Sequence, residues 1–232
     1  MSPVPVCPGP ADERLPMLTI VLLAKEPRPG RSKTRLCPPW SPAEAAALAA
    51  AALADTLAAA LATPGTRTVV VLDGDPGPWC PPGVPILPQV AASHAERIGA
   101  ALADAHALTG TPVLLIGMDT PQVTPDLLCV AAERLLSPGV DAALGPACDG
   151  GWWALGVRTA EPGLLLDVPM STAHTGADTR ARLAERGLRV ADLPVLRDVD
   201  TAADAAAVAA AAPGTRFAGL LRTLGPSAGV AA

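Results

Sequence analysis

The sequence MLTIVLLAKEPRPGRSKTRL, residues 17–36, places a basic loop directly after a continuous apolar run. The run 17–24 has the length and the Ile and Val content of a buried strand. The loop that follows begins at Lys25 and extends to Pro39. Residues 25–35 hold five basic side chains and one acid, a net charge of +4, whereas the whole chain carries −5. The pattern indicates a buried strand that ends at an anion-binding loop.

Predicted strands and helices alternate through the first 140 residues, and further elements follow. Such alternation is typical of an α/β fold, with helices on both faces of a mostly parallel, mixed central sheet in three layers. Caps and breakers set several boundaries, such as Ser41 followed by Pro42 and Glu44 at the start of a long helix. The predicted strands are 17–24, 68–72, 84–87, 112–116, 141–144, 152–157 and 188–196, and the predicted helices are 42–62, 93–108, 124–136, 175–186 and 202–212.

These elements predict one folded domain over residues 17–212. Residues 1–16 are rich in proline and lack periodicity, which predicts a disordered extension. Residues 213–232 are expected to form a loosely ordered tail.

Charge and composition exclude several classes of protein. The pI near 5.1 and the aromatic content of 2% argue against a nucleic-acid-binding protein. The longest apolar stretch, 43–62, is interrupted by Glu44 and Asp55, so no membrane span is expected. Five scattered cysteines without a Cys-x-x-Cys pair predict free thiols in a reducing cytoplasm. Both a monomer and a homodimer remain open.

The basic loop is the first candidate binding site. Gly30 permits close approach of a ligand to the backbone. Lys25, Lys33 and Arg35 can neutralise phosphate oxygens, and Arg35 can do so with two parallel hydrogen bonds. The alternative is an ordinary solvated surface loop. The position of the basic loop after the first strand favours a binding site, because ligands of open α/β sheets lie outside the carboxyl ends of the strands.

Asp119 is the candidate metal ligand. It follows the predicted strand 112–116 in the sequence Gly117-Met-Asp-Thr-Pro121. A carboxylate at that strand end suits Mg²⁺ or Mn²⁺, which take oxygen ligands and bridge to phosphates. A simple turn residue is the alternative.

A third candidate lies in Asp149-Gly150-Gly151-Trp152-Trp153. The two glycines would let a sugar or an acceptor lie against bare backbone, and either tryptophan would pack on a sugar face. The alternative is a hairpin turn, since Asp-Gly is a strong turn signal.

Weaker signals surround these three. Gln89 and Arg97 flank the predicted third strand and are assigned to the ligand site. Asp73-Gly-Asp75 and Asp198-Val-Asp200 both spell the Asp-x-Asp pattern of many metal-binding glycosyltransferases. We interpret the second pattern as the start of a helix that is capped by Asp200 or Thr201. His174 is a candidate for an additional metal ligand.

Four segments together resemble a bacterial family of glycosyltransferase-like proteins, transferase 1 of the radical-SAM/selenodomain-associated group. They are 24–36, 117–121, 145–152 and 198–201, in the expected order. The resemblance implies the GT-A fold of nucleotide-diphospho-sugar transferases. The first segment also resembles that of 2-phospho-L-lactate guanylyltransferase. Departures from the family pattern, such as Trp152 where tyrosine is usual, lie near the expected acceptor and bear on the substrate more than on the fold.

The leading interpretation is a metal-dependent glycosyltransferase that uses a nucleoside-diphosphate sugar and a small acceptor. Asp119 would hold Mg²⁺ or Mn²⁺, Lys33 and Arg35 would stabilise the leaving group, and Asp149 would orient or deprotonate the acceptor. The predicted ligand-binding site is completed by Lys25, Gly30, Gln89, Arg97, Gly150, Gly151 and Trp152. The alternative is a nucleotidyltransferase that couples an NTP to a phosphorylated small molecule with release of pyrophosphate. A nucleotide-binding protein without catalysis ranks third.

Overall fold

The computed structural model describes residues 17–90 and 92–225. The predicted extension 1–16 lies outside the described residues, as does the end of the predicted tail, 226–232. The strands are β1 Leu18–Lys25, β2 Thr66–Asp73, β3 Ile86–Pro88, β4 Val113–Gly117, β5 Ala142–Pro146, β6 Trp152–Val157 and β7 Val190–Asp192. The α-helices are α1 Pro42–Leu61, α2 His94–Thr109, α3 Pro125–Leu136, α4 Thr175–Glu185, α5 Ala202–Ala211 and α6 Arg216–Leu224, with a 3₁₀ turn over Thr34–Leu36.

The strands form one seven-stranded sheet in the order β3-β2-β1-β4-β6-β5-β7. β1 pairs in parallel with both β2 and β4, whereas β6 runs antiparallel between β4 and β5. The other six strands therefore end at the same edge of the sheet. The predicted mixed, mostly parallel α/β fold is confirmed, and this edge is where a ligand is expected.

Alternation along β1 divides the core between the two faces of the sheet. Ile20 and Leu22 pack in a cluster with residues of α1 and α3. Val21 belongs to the opposite cluster, which holds Ile98 and Leu102 of α2 and Leu183 of α4. Strands buried on both faces read as continuous apolar runs, which is why β1 was recognisable in the sequence.

Helix α1 is long and apolar enough to cross a bilayer by length and composition. Most of it is buried against the rest of the chain, with Leu48, Leu53 and Leu57 at 0–1% exposure. Such a helix is ordinary in the core of a soluble protein. Ser41 and Glu44 form the expected capping box at its start.

Three expectations need correction. The tail was predicted to be loosely ordered, but α6 is a helix that packs on α1 and buries Phe217 completely. The predicted strand 188–196 is only three residues long, followed by one isolated bridge between Ala147 and Leu196. Cys37, Cys80 and Cys148 are free, whereas Cys129 is disulfide-bonded, so the prediction of free thiols is wrong there.

Candidate active site

A cavity of about 750 Å³ opens at the edge of the sheet where β1, β2 and β4 end. Its walls come from the basic loop after β1, the start of α2, the turn after β4 and three later segments. These segments are the turn between β5 and β6, the residues that precede α4 and the residues that precede α5. The three separate candidates of the sequence therefore meet in one space.

The basic loop is folded around Ser32, which is 1% exposed. Its hydroxyl donates to the carbonyl of Glu26 at 3.2 Å and accepts the N–H of Arg28 at 3.1 Å. The next residue, Lys33, lies in the left-handed region with φ 52° and ψ 41°. Non-glycine residues seldom adopt this conformation, and it cannot be read from the residue types of the loop.

Lys33 turns inward from this loop, and its side chain is 8% exposed. The Nζ atom lies 2.8 Å from Asp119 Oδ2 and 3.0 Å from Asp200 Oδ1. Arg35 contacts the other oxygen of Asp200 at 2.8 Å from its own more exposed position. Burial alone would lower the pKa of Lys33, but Asp119 and Asp200 outweigh it and raise the pKa, so the ammonium stays charged.

Four aspartates gather around Lys33: Asp119, Asp149, Asp198 and Asp200 all line the cavity. Burial, together with the charges of Asp119 and Asp149, raises the pKa of Asp198 to about 7, and Lys33 opposes this shift only in part. The Oδ1 atoms of Asp119 and Asp198 are buried and lack a hydrogen-bond partner in the described part of the chain. Unpaired buried carboxylate oxygens are costly unless a ligand satisfies them.

These oxygens fit a divalent metal ion by their chemistry, since Mg²⁺ and Mn²⁺ prefer carboxylate ligands. Within residues 17–90 and 92–225, however, no three Asp, Glu, His or Cys side chains surround one ready metal position. The Lys33 ammonium lies between Asp119 and Asp200 instead. The carboxylate ligands for a metal ion are thus present, and the Lys33 ammonium already bridges two of them.

The opposite end of the cavity is formed by β2, β3 and α2. The Gln89 amide donates to the carbonyl of Ala24 at 2.6 Å and to that of Val71 at 3.2 Å, so its orientation is fixed. Arg97 Nη1 lies 3.9 Å from Asp73 Oδ2, and its Nε is buried without a partner in the described residues. Burial, Arg97 and Lys25 together lower the pKa of His94, which keeps its imidazole neutral at pH 7.

The double-glycine turn closes the cavity beside the aspartates. Gly151 donates its backbone N–H to Asp149 Oδ1 at 2.8 Å, which stiffens the turn. Trp152 lines the cavity, but its indole Nε1 donates to Thr179 at 3.1 Å. Trp153 is 1% exposed and donates to the carbonyl of Pro194, so the suggestion that it packs on a sugar is wrong.

Most of the predicted site residues line this cavity. They are Lys25, Lys33, Arg35, Gln89, Arg97, Asp119, Asp149, Gly151 and Trp152. Gly30 and Gly150 lie outside its wall, although both have the positive φ that favours glycine, and His174 only precedes α4.

The main residues that sequence reasoning misassigned are Asp198 and Asp200. We interpreted this Asp-x-Asp pattern mainly as the start of a helix. Thr201 and Asp204 form the capping box of α5, which confirms the Thr201 alternative for the cap, and both earlier aspartates line the cavity. The Asp-x-Asp spacing was the sequence signal that could have placed both in the site.

Residues 47–172 match the model of a family described as uncharacterised proteins conserved in bacteria, DUF2064. The chain belongs to the DUF2064 family. The predicted resemblance to a bacterial glycosyltransferase-like family with the nucleotide-diphospho-sugar transferase fold agrees with these findings.

Relatives of this DUF2064 protein include named enzymes and solved structures. It is 33% identical over 219 residues to phosphoenolpyruvate guanylyltransferase of Salinispora arenicola, covering 91% of this chain and 96% of that protein. A nucleotide-diphospho-sugar transferase structure from Desulfovibrio desulfuricans G20 aligns with TM-score 0.80 and 27% identity, over 90% and 96% of the two chains. CMP-2-keto-3-deoxy-manno-octonic acid synthetase complexed with CTP shares the fold, with TM-score 0.54 and 13% identity over 83% and 97% of the chains. The DUF2064 protein is a nucleotide-dependent transferase.

Proposed function

We propose that this chain is a nucleotidyltransferase that transfers a guanylyl group from GTP to a small phosphorylated acceptor of the phosphoenolpyruvate type. The observation that carries the proposal is the similarity to phosphoenolpyruvate guanylyltransferase over 91% of the chain. It favours the second of the two activities considered from the sequence, nucleotidyl transfer, over glycosyl transfer.

The charges in the cavity support a triphosphate donor. Five cationic side chains line it: Lys25, Arg31, Lys33, Arg35 and Arg97. Cations placed where charge accumulates stabilise a transferring phosphoryl group and its leaving group. At the end of the cavity formed by β2, β3 and α2, Gln89 offers an amide and Asp73 a carboxylate for the nucleoside. The triphosphate would extend from the nucleoside towards the other aspartates.

The proposed reaction balances without an added acid or oxidant. An anionic phosphate oxygen of the acceptor forms a bond to the α-phosphorus of the nucleotide. The bond from that phosphorus to the bridging oxygen of the β-phosphate breaks, and pyrophosphate leaves with the electron pair. Lys33 and Arg35 would stabilise the charge that develops on the pyrophosphate.

Asp119, Asp198 and Asp200 would hold a divalent ion, because their carboxylates line the cavity, and Oδ1 of Asp119 and of Asp198 lacks a hydrogen-bond partner among the described residues. The ion would supply neutralisation of phosphate charge. Asp149 Oδ1 accepts the backbone N–H of Gly151, which stiffens the turn. Asp149 would position the acceptor from this turn.

Incubation of the protein with Mg²⁺, one of the four NTPs and phosphoenolpyruvate tests the proposal, with pyrophosphate release and product mass as readouts. We expect turnover with GTP and a product that contains a diphosphate bond. Release of GDP from a GDP-sugar, with no pyrophosphate from any NTP, would establish glycosyl transfer instead.

Asp149 separates the two chemistries independently. An acceptor hydroxyl needs a general base, whose removal costs about 10²–10⁴-fold in rate, whereas an anionic acceptor phosphate needs none. We therefore expect Asp149→Asn to retain more of its kcat than Asp119→Asn. The reverse order would favour sugar transfer with Asp149 as the base.

A further inference from the structure

We propose that Lys33 occupies the cation position of the aspartate cluster until a divalent ion binds there, and that its ammonium then moves to the part of the cavity where the nucleotide phosphates are expected. Lys33 thus keeps the site assembled before the ligand arrives. The inference rests on the proposed function through its metal site, and the experiments below separate the two.

The ammonium and a metal ion that binds Asp119 Oδ2 and Asp200 Oδ1 exclude each other. Lys33 Nζ is 2.8 Å from Asp119 Oδ2 and 3.0 Å from Asp200 Oδ1. A Mg²⁺ ion bound to these same oxygens would lie about 2.1 Å from each of them. Two cations sharing both oxygens would be only a few ångströms apart, and their repulsion in a buried site is strong. One of them has to leave.

The charge balance explains why a cation is needed in the ligand-free protein. Asp119, Asp149, Asp198 and Asp200 all line the same cavity. Lys33 is the buried cation among them, since the Arg35 side chain is 70% exposed. Without either ammonium or metal, the carboxylates would repel one another and the loops that carry them would separate.

The side chain has room to leave. Lysine carries its charge on a flexible four-carbon stem with rotatable donors, so Nζ can move without a change in the backbone. Lys33 lines the same cavity as Arg31 and Arg35, where the triphosphate is expected. The left-handed backbone at Lys33, anchored by the buried Ser32, keeps the stem aimed at that space.

The composition of the chain allows a direct observation of this movement. The sequence contains two lysines, Lys25 and Lys33. In protein labelled with ¹³C-lysine, Lys25→Arg assigns the two side-chain signals. We expect Mg²⁺ alone to shift the Lys33 signal and to leave that of Lys25 nearly unchanged. A Lys33 signal that does not move at saturating Mg²⁺ would overturn the inference, and this measurement needs no variant of Lys33.

Metal affinity gives the second test, with free Mn²⁺ measured by electron paramagnetic resonance in the absence of nucleotide. We expect Lys33→Met to bind Mn²⁺ at least about tenfold more tightly than the unaltered chain, a gain of ~1.4 kcal/mol. Lys25→Met is the matched control, because Lys25 lines the same cavity without an Asp119 or Asp200 contact, and its Mn²⁺ affinity should change less than about twofold.

The outcomes distinguish the two proposals. Mn²⁺ binding by the unaltered chain with no gain in Lys33→Met overturns the role of Lys33 and leaves the metal site standing. An equal gain in Lys25→Met shows a general charge effect and also overturns it. No Mn²⁺ binding by any of the three proteins overturns the metal site and this inference together.

Discussion

Gly176, in the first turn of α4, donates its backbone N–H to the carbonyl of Gly150 at 2.8 Å. This bond joins the start of a helix to the glycine pair that follows Asp149. A Cβ added at Gly150 would lie 2.0 Å from the carbonyl oxygen of Ala173, and the residue has φ +88°. The contact is between backbone atoms, so neither partner can yield by rotating a side chain.

Gly150→Ala is therefore expected to displace the turn that carries Asp149. The strain and the clash together should cost about 1–3 kcal/mol of stability, and turnover should fall more than tenfold because the turn lines the active cavity. Urea unfolding and steady-state kinetics measure the two effects. Gly163→Ala is the control, since an added Cβ there meets nothing within 4 Å. Equal kinetics in both variants would contradict the assignment.

Two helical glycines predict stability changes of opposite sign. Gly99 in α2 packs so closely that an added Cβ would lie 2.1 Å from the carbonyl oxygen of Pro162. Gly219 in α6 meets only the end of the Arg222 side chain, at 3.8 Å. Gly99→Ala should lose about 1–3 kcal/mol, whereas Gly219→Ala should gain up to ~1 kcal/mol from helix propensity. Thermal unfolding should show a lower Tm for the first and a higher Tm for the second. A higher Tm in both variants would mean that α2 does not pack against the loop that contains Pro162.

Attachment of the last helix depends on Asp55 of α1. Its carboxylate accepts the backbone N–H groups of Arg216 at 3.1 Å and Phe217 at 2.8 Å, which are donors at the start of α6. The Asp55 side chain is 8% exposed and that of Arg216 is 64% exposed. Asp55→Ala should therefore cost about 2–3 kcal/mol in urea unfolding, and Arg216→Ala less than ~1 kcal/mol. Similar losses in the two variants would show that the ion pair, and not the helix cap, carries the effect.

The fold was predictable because its signals are local. Strand β1 is a continuous apolar run, and the capping box of α1 lies within four residues, Ser41 to Glu44. The same locality misled the interpretation of α6, where Pro213 and Gly214 precede the helix and suggest a loop. The presence of the chain's only phenylalanine in this segment was the sequence signal that the segment packs, and Phe217 is indeed buried.

The site was predictable only in its parts. The basic loop, Asp119 and the double glycine each follow a strand, so their meeting at one edge follows from the topology. The contact of Lys33 with Asp200 joins residues 167 positions apart, and no spacing in the sequence indicates it. The left-handed backbone that turns Lys33 inward is equally invisible, because lysine does not favour that conformation.

Acid stability should depend on Asp141, which precedes β5. Hydrogen bonds and the charge of Arg189 lower the pKa of Asp141 to about 2. A lowered pKa stabilises the folded chain above the ordinary value near 3.8, and this contribution is lost as the pH falls towards 2. The Tm difference between the unaltered chain and Asp141→Asn should thus shrink between pH 5 and pH 2. Asp104→Asn, on the exposed surface of α2, is the control. A Tm difference that does not change with pH would contradict a lowered pKa of Asp141.

Arg35 predicts a salt-dependent effect on nucleotide binding. Its guanidinium is held 2.8 Å from Asp200 at the cavity, yet its side chain is 70% exposed. An exposed cation attracts a triphosphate through screened charge, so Arg35→Ala should raise KM for the nucleotide about tenfold at low salt and less at 0.5 M salt. Its kcat should fall as well if Arg35 stabilises the leaving pyrophosphate. Arg67→Ala, on β2 away from the cavity, should leave both constants unchanged. A KM effect of the same size at every salt concentration would instead identify a direct, desolvated contact between Arg35 and the phosphates.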